Sequence, residues 1–133
     1  MDRQEGTVQR LTFRKEERMV SRALIETLFS GSRSMMAFPV RMVFMTQERT
    51  VGAEPLQLLI SVPKKFFKHA VDRNRVKRQL REAFRHHKQQ LYDALPDDKS
   101  LLIAFVWLSK QHQPSVKVDE RVRGLLQRLV EKL

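Results

Sequence analysis

Apolar residues recur along this chain with two different periods, and the switches between those periods outline its elements. In TFRKEERMVSRALIETLFSGS (12–32), Leu24, Leu28 and Phe29 fall at i, i+4 and i+5 with Val20 and Ile25 beside them. That spacing predicts a helix over at least the second half of the segment, stopped at Gly31. FPVRMVFMT (38–46) is β-branched and aromatic enough for a strand with Pro39 at its start, and QERTVGAEP (47–55) reads as a hairpin loop. LQLLISV (56–62) is a nearly continuous apolar run of the kind a buried strand needs, ended by Pro63. FFKHAV (66–71) bridges to a helix over 72–90 that Asp72 or Asn74 is placed to cap. PDDKS (96–100) breaks the chain before a third, wholly apolar strand, LLIAFVW (101–107). After the loop SKQHQPS (109–115), Val118, Val122, Leu125, Leu126, Leu129 and Leu133 share one face of a last helix over 118–133.

The predicted order is α-β-β-α-β-α, with an extra strand available from the 38–62 region. It implies an α+β fold, a single-domain α/β sandwich centred on a strand–helix–strand crossover from 56–62 to 101–107. Residues 1–10 read as a flexible polar tail and 11–133 as one domain, in keeping with 133 residues in total. No internal repeat or low-complexity tract interrupts it.

The helix over 72–90 sorts its residues twice. At ~100° per residue, Val76, Leu80, Ala83, Phe84 and Leu91 share an arc of ~100°, and Lys77, Lys88, Arg81, Arg85 and Arg78 fill the next ~100°. One flank packs onto a core while its neighbour presents positive charge. From Lys64 to Lys88 ten cations face only Asp72 and Glu82, which leaves +8 of the chain's net +11 in a fifth of its length. With a pI near 10.7, such a domain fits a polyanion, nucleic acid before an anionic membrane surface. Arginine suits that role because its guanidinium forks onto phosphate.

Other classes fall away. No cysteine is present, which excludes disulfides, Cys-ligated zinc and thiol catalysis. No apolar run approaches ~18 residues, and MDRQEGTVQR has no apolar signal core, so neither a membrane span nor a secretory signal is expected and a cytoplasmic location follows. No phosphate-binding glycine loop or nucleophile elbow is present. His86 and His87 diverge by ~100° on a helix, which sets them as solvated or RNA-facing side chains and not as a metal pair. Asp97 and Asp98 read as turn residues. Most phenylalanines belong to the core, leaving one or two to stack on single-stranded bases. No catalytic residue and no metal ligand is expected on the protein itself.

The run ISVPKKFFKHAVDRNRVKRQLREAF carries Ser61-Val62 at a strand end, Lys64-Lys65, Ala70-Val71, Arg73-Asn74-Arg75, Val76 and Lys77-Arg78. In that order and spacing it resembles the signature of the bacterial ribonuclease P protein component. More loosely, the likeness runs from Lys15 and Phe29-Ser30-Gly31 through the last helix. It implies an α+β fold of the ribosomal protein S5 domain 2-like type with a left-handed βαβ crossover. It also implies a protein subunit that binds a catalytic RNA and the 5′ leader of precursor tRNA. The RNA would remove the leader with Mg²⁺ that it mainly holds itself. Carried over by position, Arg73, Asn74, Arg75, Lys77, Arg78, Arg81 and Arg85 would contact the ribonuclease P RNA. Phe29, Ile25, Lys64, Lys65 and Arg41 would contact the leader, with the register of the first strand open from Val40 to Val43. The alternative is a structural RNA-binding protein of ribosomal type with no processing role. Oligomeric state is left open.

Overall fold

The computed structural model describes residues 17–19, 21–31 and 33–133. Lys15, Val20 and the tail 1–10 lie outside them. Helix α1 spans Arg22–Gly31, and Ser21 starts it by accepting the Leu24 amide on its hydroxyl at 3.4 Å. Strands β1 (Arg33–Ala37), β2 (Val40–Glu48) and β3 (Leu56–Ser61) follow. Then come α2 (Ala70–His87), the short α3 (Gln89–Ala94), β4 (Lys99–Trp107) and α4 (Ser115–Val130).

The four strands form one sheet in the order β1-β2-β4-β3. β4 is antiparallel to β2 and parallel to β3, so β3–α2–β4 is the expected crossover. The expected hairpin at 47–55 is absent, because β4 lies between β2 and β3. Side chains 100–105 of β4 are all buried, and a strand apolar on both faces belongs in the middle of a sheet. The connection instead makes a turn in which Gly52 takes φ 82°, a left-handed conformation that suits glycine. The extra strand is β1, residues 33–37 and thus ahead of Pro39, joined to β2 through the cis Phe38–Pro39 peptide. Its sequence, Arg-Ser-Met-Met-Ala, carries no β-branched or aromatic residue to announce an edge strand.

Helices cover both faces. Val40, Met42, Phe44, Leu56, Leu58, Leu101, Ile103, Phe105 and Trp107 meet α2, α3 and α4 in the larger core. The alternate residues Val43, Leu102 and Ala104 meet Leu28 of α1 and Met19 in the smaller one, as the period of two requires. α2 begins two residues before Asp72 and takes no side-chain cap. Asp72 turns to His112 instead, at 3.0 Å. α4 begins three residues earlier than the apolar pattern suggests, directly after Pro114. No helix among the described residues is long and apolar enough to cross a membrane.

Candidate RNA interface

Val76, Leu80 and Phe84 of α2 are fully buried, which fixes the rotation of the helix and turns its next flank outward. Asn74, Arg75 and Arg78 are exposed there, and Lys77, Arg81 and Arg85 are half-buried. Two arginines have partners inside the protein. Arg73 donates through one Nη to the carbonyls of Phe67 and Lys68, both at 2.9 Å, so it ties the preceding turn to the helix. Arg85 pairs with Glu82 at 2.7 Å, and that hydrogen bond holds the Glu82 carboxyl below its usual range.

Lys88 leaves the stripe altogether. It is fully buried, with its Nζ 2.6 Å from an oxygen of the equally buried Glu17. The second Glu17 oxygen accepts the Tyr92 hydroxyl. Lys88 sits on the wheel between Lys77 and Arg81, so periodicity alone places it with them. The carboxylate that draws it inward lies 71 residues away in sequence.

The turn after β3 carries Lys64 and Lys65, both exposed. Its Phe66 amide bonds the Pro63 carbonyl at 3.0 Å, and Phe67 stacks on the His112 ring at 4.5 Å between centroids. His112 in turn meets Asp72. Arg73, Phe67 and Asp72 therefore lock the lysine pair to the start of α2, a coupling that fixed spacing in the sequence only hinted at.

On the α1 side of the sheet, the register sets Met36, Arg41, Val106 and Ser61 in one row across all four strands. The neighbouring row of Val43, Ala104 and Leu59 carries α1. Met36 and Arg41 remain exposed, and Val106 and Ser61 are half-buried. Ser61 leads directly to the lysine turn. In this register Arg41 points to the α1 side, whereas Val40 and Met42 are buried in the larger core and Val43 in the smaller one. Phe29 of α1 is 46% exposed. Ile25, by contrast, packs against the smaller core. Phe38 is the other exposed phenylalanine among the described residues.

His86 is exposed, as expected, and His87 is half-buried; both also converge on Asp119 of α4, at 3.2 and 2.8 Å. They thereby tie α2 to α4. Burial pushes the Asp119 carboxyl up, but the hydrogen bonds from His87 and His86 outweigh it and hold the group below the ordinary aspartate value. A carboxyl depressed by folding stabilises above its unfolded pKa and loses that contribution as pH falls through its folded one. Asp119→Asn is expected to cost about 1 kcal/mol at neutral pH, a few degrees of melting temperature. Thermal melts should show the gap from wild type closing as pH falls below about 4.

No three His, Asp or Glu side chains among the described residues are grouped to hold a metal ion. The described residues offer instead a cationic helix flank, a lysine turn at its start and, on the α1 side of the sheet, an exposed arginine.

Known proteins resemble this chain in sequence and in fold. The chain is 38% identical over 109 residues to the ribonuclease P protein component of Porphyromonas gingivalis strain W83, covering 80% of this chain and 77% of the relative. It is 37% identical over 90 residues to that of Idiomarina loihiensis, covering 62% and 66%. Among solved structures, the RNase P protein from Thermotoga maritima superposes with a TM-score of 0.64 at 26% identity, covering 84% of this chain and 96% of that one. A mutant Staphylococcus aureus RNase P protein reaches 0.68 at 18% identity, covering 97% and 98%, a likeness of fold. The family model for ribonuclease P matches residues 13–130; over that span, nearly the whole chain, the protein belongs to the ribonuclease P protein family.

Proposed function

We propose that this chain is the protein subunit of ribonuclease P. It binds the catalytic RNA through Asn74, Arg75, Lys77, Arg78 and Arg81, with Arg73 and Arg85 at the margins, and receives the 5′ leader of precursor tRNA along Lys64, Lys65, Arg41 and Phe29. The cationic flank of α2, turned outward by a fully buried apolar one, is the observation that carries this reading. Cations arrayed on a rigid helix neutralise phosphates around a metal site, so the RNA folds and holds Mg²⁺ at a lower free concentration. The metal and the cleavage chemistry stay with the RNA, and the protein supplies affinity and position in the cytoplasm. An extended leader bound by lysines and a ring face is recognised with little base preference. Ile25, half-buried in the smaller core, supports the cleft wall and does not stack on a base.

The test is reconstitution with a bacterial ribonuclease P RNA and an assay of 5′ cleavage at low Mg²⁺. Cleavage is expected only with both subunits present. RNA affinity should fall with salt at a log–log slope of roughly −4 to −6 if about six phosphates are neutralised. Phe29→Ala in the same assay should narrow the preference for leader-bearing substrate over mature tRNA. A flat salt response, or cleavage by the protein alone, would overturn the reading.

A further inference from the structure

The groove beside the outer edge of β3 joins residues far apart in sequence. Arg18, Lys77 and Arg81 line it together with Met19, Leu58, Leu59 and Ile60, enclosing about 300 Å³. Among the described residues, no carboxylate lines it. Arg18 reaches this position because the chain around it is pinned on both sides. The Met19 amide bonds the Leu58 carbonyl at 3.0 Å, and Arg18 bridges β3 at Leu58. Glu17 is sunk against Lys88 and Tyr92.

The strap formed by residues 17–19 therefore changes the charge of α2 in two adjacent places. Its Glu17 neutralises and buries the last cation of the stripe, Lys88. Its Arg18 adds a new cation beside Lys77 and Arg81, one turn and more towards the start of the helix. A segment that merely covered a hydrophobic edge would have no need to move positive charge along the helix.

We propose that Arg18, Lys77 and Arg81 clasp one backbone phosphate of the partner RNA, and that the buried Glu17–Lys88–Tyr92 cluster is the positioning device that sets Arg18 in the clasp. The proposal rests on the RNA-binding reading above and names a contact within it. Two guanidiniums and an ammonium converging over an apolar floor suit a phosphate diester, because arginine forks onto its oxygens and the floor weakens solvent screening. Burial, followed by repulsion from Arg18 and Arg78, holds the Arg81 guanidinium below its ordinary value.

The experiment measures binding of the full chain to a bacterial ribonuclease P RNA across a salt series. Arg18→Ala is expected to bind about tenfold more weakly, as removal of one charge-assisted hydrogen bond implies, with a shallower salt slope. Arg18→Lys should keep the slope and recover part of the affinity. Because Arg18 and Arg81 share one phosphate, Arg18→Ala with Arg81→Ala should weaken binding by clearly less than the product of the two single effects.

Glu17→Gln should weaken binding through loss of Arg18 placement. The all-apolar replacement Glu17→Leu, Lys88→Met, Tyr92→Phe keeps the strap seated and should bind as wild type. Unchanged affinity and slope in Arg18→Ala, beside a salt-sensitive wild type, would overturn the clasp and leave the function standing. Independent, multiplying effects of Arg18 and Arg81 would do the same. A triple variant that folds yet binds like Arg18→Ala would overturn the positioning role. A wild-type chain that did not bind the RNA would overturn both proposals.

Discussion

Arg75→Ala combined with Arg78→Ala is expected to weaken binding to ribonuclease P RNA on the order of 100-fold, taking about 1.5 kcal/mol for each charge-assisted hydrogen bond removed. Both side chains are exposed on α2, and among the described residues neither has a hydrogen bond or ion pair that the fold depends on. The loss should therefore fall on binding alone. Folding should be unchanged or slightly improved, since alanine has the higher helix propensity. α2 begins at Ala70, so Arg75 lies in its second turn, where the opposition of the helix dipole to a cation has already faded. The reconstituted enzyme should then need more Mg²⁺ for the same 5′ cleavage rate, because free divalent ions must replace the neutralisation that the two arginines supplied. Titrating Mg²⁺ at saturating variant protein separates this effect from simple loss of affinity. An unshifted Mg²⁺ curve would mean that these residues hold the subunits together without supporting the metal site.

Side chains with and without distant partners differ in how far the sequence reveals them. The buried flank of α2 was legible because it depends on one helical period, and Val76, Leu80, Ala83 and Phe84 are all buried where that period puts them. The central strands were legible for a similar reason: runs such as 101–107 are too apolar to sit anywhere but inside. The lysine pair and Arg73-Asn74-Arg75 stood out by spacing, and the turn that joins them is a local structure. What escaped depends on partners distant in the chain. β4 displaces the expected hairpin because pairing is settled by competition among all the strands, which no single strand's pattern encodes. His86 and His87 look divergent on a wheel, yet Asp119 on a neighbouring helix accepts from both. Lys88 has the same local pattern as Lys77 and differs only in meeting Glu17.

Lys88→Met is expected to be among the most destabilising single changes in the chain. With the ammonium removed, the Glu17 carboxylate, 0% exposed, stays in the interior and loses the charge paired with it at 2.6 Å. Breaking a buried pair on one side costs about 3–5 kcal/mol, since desolvation of the remaining ion is no longer offset. For a domain of this length that corresponds to a fall of roughly 10–20 °C in melting temperature. The strap should then detach locally before the sheet unfolds, because among the described residues its backbone meets the sheet only around Leu58. Hydrogen exchange at Met19 and in α1 should accelerate ahead of exchange in β4. Removing the whole cluster has a different consequence. With Glu17→Leu, Lys88→Met and Tyr92→Phe together, the ammonium and the carboxylate leave as a pair, and apolar groups of similar volume fill the same space. Such replacements of buried ionic clusters are neutral or stabilising by about 1–4 kcal/mol. The triple variant should therefore melt at or above the wild-type temperature while Lys88→Met melts far below it. If both melted equally low, the cluster would owe its place to tight polar geometry and not to balanced charge, and the strap would be held by those hydrogen bonds themselves.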